Sequence, residues 1–418
     1  MSDNINRRSA LKAAGALGAA GLTTSIAGCA DLLGGDEDAR VGVLQPATGD
    51  LGDLGEPIQD AGVLPGTQLD DEDVDYEIDI RREDTETDPE VGIDRAQALA
   101  DAGYPSVTGA ASSSVTIQVA EEVYFEEEIV GISPASTSPD ITDMDGDYLL
   151  RTCPSDAFQT QVLAELAYDG IEDLGGGLEV ASVLYEDGDY GEGVNDAFVD
   201  NFEDKGGNVV AEEAFEEEQG DYSSELTTVL DDVDQDPDVL LLVGYPDSGE
   251  QIFIDFYENY DADDYTILVT DGLQSNDLPA DVDNEMSNVI GTAPAAEGEG
   301  YETFEQLFED EYDSSPGVFT AEAYDATAVH ILAQLRADEL TGEAVSEQVR
   351  EVTSGGGEEI TPDNLAEGVD LAADGEEIEY VGASSAVEFD DDGDLDIVEY
   401  DIFDFDMDGF HVQDTMEL

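Results

Sequence analysis

Apolar positions along this chain recur in two rhythms. Short apolar runs at 41–44, 106–109, 129–132, 180–185, 239–243 and 266–269 read as strands, and 76–80 and 208–212 alternate as strands do. Between them, apolar residues fall at helical spacing over 58–69, 90–102, 114–124, 158–174, 193–205, 222–232 and 249–260. Strands alternating with helices predict right-handed βαβ units and parallel sheets. About 380 residues lie beyond the first thirty or so, more than one core holds comfortably, so two α/β lobes are expected. The end of the chain changes character: 385–389 and 396–403 read as strands, joined at Asp390-Asp391-Asp392-Gly393 by a hairpin signal.

The first residues follow neither rhythm. Arg7-Arg8 precedes a weakly apolar run, 11–26, rich in Ala and Gly, that ends at Ser25-Ile26-Ala27-Gly28-Cys29. A twin arginine, a short apolar stretch and a small-residue cleavage site predict an export signal over 1–28. The run is too short and too weakly apolar for a membrane-spanning helix, which needs about 20 strongly apolar residues. Cys29 stands where a lipobox places its lipidated thiol, so a lipid anchor at Cys29 is expected, with 29–38 as a tether. Cys153 is then alone, and no internal disulfide is expected.

Charge narrows the setting. Asp and Glu number 107 against 11 Lys and Arg, a net charge of −96. Such a balance destabilises a compact state by self-repulsion, and at molar salt, where the Debye length is about 3 Å, that repulsion largely vanishes. The surface suits a hypersaline medium. Intrinsic disorder is excluded, because 40% of residues are hydrophobic and they fall in patterned blocks. Nucleic acid is excluded as a partner, since phosphate contacts need Lys and Arg.

Open α/β sheets bind ligands at the carboxyl ends of their strands. The corresponding loops are 109–114, 133–138, 186–193, 244–248 and 270–276. Ser112, Ser113 and Ser114 precede a helix and suit either an N-cap or an anion. Thr137 before Ser-Pro suits turn chemistry equally well. Tyr190 offers a ring and a hydroxyl. Asp271 follows a strand and precedes Gly272, although most acids in so acidic a chain are solvated. Glu388-x-Asp390-x-Asp392-Gly393, with Glu399 beyond, nearly fits a calcium loop. Its flanks alternate like strands where an EF-hand needs helices. Asp404-x-Asp406-x-Asp408-Gly409 lacks the final acid. The glycines at 188, 191 and 193 stand in the wrong order for a dinucleotide fingerprint. His330 and His411 have no metal spacing. No nucleophile–base pair is visible, so neither an enzyme nor a cofactor is expected.

In these loops the sequence resembles the branched-chain amino-acid-binding family of ABC transporters, whose fold is the type I periplasmic binding protein. The resemblance runs from about Val41 to Phe410. It rests on Gly109-Ala-Ala-Ser-Ser-Ser114, Ile132-Ser-Pro-Ala-Ser-Thr-Ser-Pro139, Arg151-Thr-Cys-Pro-Ser-Asp156 with Gln159, Asp189-Tyr-Gly-Glu-Gly193, Thr320-Ala-Glu-Ala-Tyr-Asp-Ala326 and Val387-Glu-Phe-Asp-Asp-Asp-Gly-Asp394. It implies two lobes, each a parallel-rich sheet flanked by helices, joined by three hinge crossovers. Lobe 1 would comprise 39–155 and 292–395, and lobe 2 156–291 and 396–418. It implies a ligand carboxylate held by Ser113, Ser114, the backbone of Ala135 and Thr137, and an ammonium met by Asp271, Tyr190 and Tyr245. Glutamate is familiar at the position of Asp271, Leu54 stands where an aromatic can occur, and Ser112 replaces one cysteine of the family's first-lobe disulfide. The implied function is hinge closure on an amino acid or similar solute, by a monomer anchored outside the cell that docks on a permease driven by an ATPase. A sensor presenting ligand to a receptor is the rival reading, and an amide, urea or carboxylic acid the rival ligand.

Overall fold

The computed structural model describes residues 38–72, 74–171, 176–217, 219–395 and 398–418. Cys29 and the export signal lie outside the described residues. The strands are β1 Ala39–Gln45, β2 Ile78–Asp84, β3 Ser106–Gly109, β4 Val130–Ser133, β5 Leu149–Arg151, β6 Val180–Glu186, β7 Asn208–Phe215, β8 Val239–Val243, β9 Thr266–Val269, β10 Val289–Pro294, β11 Glu358–Ile360, β12 Ile378–Tyr380, β13 Glu399–Asp406 and β14 Gly409–Glu417. The main helices are α1 Gly52–Asp71, α2 Pro89–Ala102, α3 Ser113–Val119, α4 Asp156–Tyr168, α5 Asp189–Lys205, α6 Ser223–Leu230, α7 Pro246–Asn259, α8 Leu278–Val282, α9 Tyr301–Tyr312, α10 Thr320–Arg336, α11 Gly342–Thr353 and α12 Leu365–Asp374.

Local chemistry sets these elements. In α2, Asp88 accepts from the Val91 N–H at the N-cap, Pro89 opens the first turn, and Gly103 ends the helix at φ 82°. β8, Val-Leu-Leu-Leu-Val, is buried on both faces, as a central parallel strand must be. Expected and observed elements otherwise differ mainly at their ends. The helix expected over 158–174 stops at Tyr168, where Gly170 at φ 78° follows. The one expected over 114–124 becomes a π turn after Val119.

Two sheets organise the fold. The first has the order β2-β1-β3-β4-β5 and is wholly parallel. The second has the order β14-β13-β10-β9-β8-β6-β7, parallel from β7 to β10 and antiparallel at β13 and β14. The chain passes between the sheets after β5, after β10 and again before β13, so two lobes are linked by three strands of backbone. α10 packs on the first sheet and is buried at every position but Arg336. Across that interface Gln334 Nε2 donates to the Arg40 carbonyl at 2.7 Å and to Ser106 Oγ at 2.9 Å. His330 is a core histidine whose Nε2 lies 3.0 Å from the Val107 carbonyl, and burial lowers its pKa to about 3.

The closing hairpin is a correction. Residues 385–389 form no strand. The 390–393 turn joins an isolated bridge, Phe389 to Leu395, and the true hairpin is β13–β14, turned before Gly409 at φ 120°. The chain just before 385–389 is held by Asp325. Its carboxylate accepts from Tyr380 OH (2.7 Å), the N–H groups of Ala383 (2.8 Å) and Ser384 (2.7 Å) and Ser384 Oγ (2.6 Å). Within the segment the Val387 N–H donates to Ser385 Oγ at 3.2 Å, a local bond that competes with a ladder. Meanwhile Tyr400, Ile402, Phe403 and Phe405 bury themselves along β13 against β10.

Candidate functional site

The loops at the carboxyl ends of β3, β4, β6, β8 and β9 converge between the lobes, as open sheets require. There they enclose a nearly filled void of about 10 Å³. The lobes are drawn together over it. Ser248 Oγ donates to Asp50 Oδ1 at 2.8 Å, Tyr245 OH to Ser112 Oγ at 3.4 Å, and the Asp189 N–H to Ser114 Oγ at 2.8 Å.

Five of the residues singled out in the sequence line this void: Ser113, Ala135, Tyr190, Tyr245 and Asp271. Ser114 does not, because its hydroxyl is engaged as the bridge to Asp189. Thr137 does not either. It lies one layer deeper, buried, with its hydroxyl free of any hydrogen bond of ordinary geometry.

The second-lobe wall is built by stacking. Tyr190 and Tyr245 lie nearly parallel, 8° apart with ring centroids at 5.4 Å, and Tyr190 OH is 2.6 Å from Thr270 Oγ1. Glu186 Oε1 accepts the Gly191 N–H at 2.9 Å and so fixes the start of the tyrosine loop. Burial pushes Glu186 up to about 7. Gly272 allows the close approach of these pieces: a Cβ there would meet the Gly244 carbonyl at 2.5 Å.

Sequence reasoning missed two parts of the site. The first is its apolar side, formed by Leu51, Ile58, Ala111 and Phe319. Phe319 precedes α10 at φ 63°, a left-handed conformation uncommon for a bulky residue. The second is acidic. Asp156, quoted above only as part of a crossover motif, is fully buried, and neither of its carboxylate oxygens has a hydrogen-bond partner. Asp271 is also buried, with Oδ1 unpartnered. Burial pushes Asp271 up to about 6, against the opposing pull of Gln159 and Tyr190 beside it. Burial, and then the charge of Asp271, hold Asp156 well above the usual carboxylate range, against the opposing pull of Thr137 and Arg151. Two desolvated carboxylates with lone pairs unspent are costly unless a cation or a proton joins them.

Comparison with known proteins agrees with this architecture. The family described as receptor family ligand binding region matches residues 65–408. The chemotactic signal transduction system substrate-binding protein BasB of Halobacterium salinarum is 28% identical over 311 residues, 73% of this chain and 71% of BasB. The leucine-binding protein LivK of Thermotoga maritima superimposes with a TM-score of 0.74 at 19% identity, covering 90% of this chain and 98% of LivK. The branched-chain amino acid transporter substrate-binding protein LivJ of Streptococcus pneumoniae, solved with isoleucine, gives 0.73 at 17% identity, covering 91% and 99%. The fold is therefore the two-lobed type I periplasmic binding protein.

Proposed function

The chain belongs to the receptor family ligand binding region family, and from that premise we propose that it traps an amino acid between its lobes and presents the closed form to a membrane partner. The observation that carries this reading is the composition of the cleft. A neutral first-lobe wall of Ser113, Ala111 and Ala135 faces two stacked tyrosines and the acid Asp271, whose Oδ1 is unpartnered. Such a cleft discriminates the two ends of a zwitterion. Hydroxyl and N–H donors suit the carboxylate, while Asp271, with Asp156 behind it, supplies the negative charge an ammonium needs. The tyrosine faces add cation–π attraction. Leu51, Leu54, Ile58 and Phe319 receive an aliphatic side chain. Entry requires the three passages to flex and the lobes to part.

The test is thermal unfolding at molar salt with amino acids, amides and carboxylates, because a ligand that binds only the folded state raises its stability. A branched aliphatic amino acid should raise the melting temperature, and its deaminated analogue should not. An equal effect from both would remove the ammonium from the reading and leave a simple acid or amide as ligand. The membrane partner is a permease with its ATPase, the protein being held at the extracellular face by lipid on Cys29. The name of BasB favours a second reading, presentation to a chemotaxis transducer. Uptake of labelled ligand by cells lacking this protein separates the two: transport falls under the first reading and persists under the second.

A further inference from the structure

The three passages between the lobes also wall a second hollow, separate from the residues that line the cleft. Its outer part, where about 250 Å³ admits the centre of a water-sized sphere, lies between the 295–299 segment, the 381–388 segment and the start of β13. A smaller adjoining cavity, the neck, shares Ala295, Ser384, Ser385, Leu395 and Glu399 with it and is lined further by Thr152 and Pro154 on the first passage, Pro294 on the second and Val398 on the third. Its walls are tied to one another and to α10: the Glu297 and Gly298 N–H groups donate to the carbonyls of Ser384 and Ala383, both at 3.1 Å, while the N–H groups of Ala383 and Ser384 donate to Asp325.

Its chemistry is uniform. Glu297, Glu388 and Glu399 stand around the outer part. Glu322 stands in the neck, only 3% exposed, with Oε2 unpartnered. No Lys or Arg lines either part. Between the acids the wall is aliphatic, from Val381, Val387 and Leu395. Surface acids are everywhere on this chain and mean little alone. A buried carboxylate with an unspent lone pair at the end of an acid-rimmed apolar channel is different, because its desolvation is compensated only by a proton or a cation. A metal ion does not fit: calcium needs 6–8 converging oxygens, and among the described residues no three acids, histidines or cysteines converge to hold one.

We propose that this hinge hollow is a second binding site, for a small organic amine whose aliphatic body lies along Val387 and Leu395 and whose ammonium groups pair with Glu399 at the mouth and Glu322 in the neck. Burial raises Glu322 to about 8, with the Asp325 charge adding to the shift; Cys153 and Tyr301 are the other titratable groups that face it. Glu399 is raised by burial and by Glu297, Glu417 and Asp401. An arriving ammonium therefore relieves crowding at the mouth and displaces a proton in the neck. The site stands independently of the ligand in the cleft.

The probe is 1,4-diaminobutane, titrated calorimetrically into the full protein in molar KCl, where diffuse counter-ion attraction is screened and contact binding remains. One saturable site is expected. Glu399→Gln and Glu322→Gln should each weaken it at least tenfold, whereas Glu121→Gln, an exposed acid elsewhere, and Asp271→Ala, in the cleft, should not. Near pH 7 the heat should depend on the buffer's ionisation enthalpy, because Glu322 releases a proton, and this dependence should vanish in Glu322→Gln. If Glu322→Gln fails to fold, Glu399→Gln decides alone. Absence of saturable binding, an equal loss in Glu121→Gln, a site lost with Asp271→Ala, or stoichiometric calcium binding in place of the diamine would each overturn the proposal.

Discussion

Arg151 and Asp156 sit close together in the sequence, at the same passage between the lobes, and both are fully buried. Their surroundings are opposite. Arg151 Nε donates to Asp394 Oδ1 at 2.6 Å, and Nη2 to Asp394 Oδ2 at 2.9 Å and Thr142 Oγ1 at 2.8 Å. Nη1 reaches the carbonyls of Ser138 (2.9 Å) and Ser136 (3.3 Å). Asp156 has no such partner, and neither has Asp271 Oδ1. A buried polar network that satisfies itself holds the fold, and one left open is incomplete without something from outside. The contrast separates the part of the hinge that ties the chain together from the part that answers to a ligand.

The sharpest way to break that contrast is to remove the guanidinium. Arg151→Met strips Asp394 of its guanidinium, leaving Thr142 Oγ1 as its side-chain donor, and takes one donor from each of the Ser136 and Ser138 carbonyls; it should cost about 3–5 kcal/mol of stability by urea unfolding in molar salt. A loss under about 1 kcal/mol would make Arg151 as dispensable as an exposed ion pair. Asp271→Ala should do the reverse. Ligand affinity should fall by roughly 2–4 kcal/mol, while the ligand-free protein unfolds no earlier than wild type, because an unsatisfied buried acid has gone. Equal affinity in calorimetry would take away the main support for an amino-acid ligand.

Titration gives a third measure. Asp271 is raised from 3.8 to about 6 in the folded state, so between those values the folded state holds more protons than the unfolded one. Its contribution is fully present below about pH 4 and lost as pH rises through about 6. Asp271→Asn should flatten that stretch of the stability–pH curve by about 2 kcal/mol relative to wild type. Parallel curves would mean that Asp271 has its ordinary affinity for protons. The smallest effect is expected from Ser113→Ala, a neutral hydroxyl worth about 1–2 kcal/mol of binding. A larger loss than that of Asp271→Ala would put the anchoring of the ligand on the first lobe.

Much of this was legible in the sequence because it depends on local pattern. Apolar runs and turn residues located β3, β4, β6, β8 and β9 closely, and the segments after them supplied Ser113, Ala135, Tyr190, Tyr245 and Asp271 to one void. What stayed hidden depends on distant pairing. Leu51 lies in a stretch that reads as loop and Ile58 at the start of an expected helix, and only the approach of the second lobe makes them a wall. Phe319 faces the void because of a left-handed backbone that no period encodes. Asp156 stands in the sequence only as the end of the crossover motif. Its burial, and then the charge of Asp271 brought to it by the second lobe, appear only in three dimensions. The 385–389 segment alternates as a strand does, yet Ser385 Oγ takes the Val387 N–H and the chain before it is held by Asp325 of α10, distant in sequence.

The interleaving of the two lobes also has a kinetic meaning. The second sheet is not whole until β13 pairs with β10, Thr292 beside Ile402, and the first is covered only when Gln334 of α10 reaches back to Arg40. Contacts spanning so much chain must absorb the entropy of closing long loops before they return any stability. Neither lobe can therefore finish as it emerges from the ribosome. The first waits for α10, and the second waits for β13 and β14. Folding of both lobes thus becomes essentially a single event, which the pairing of that hairpin permits.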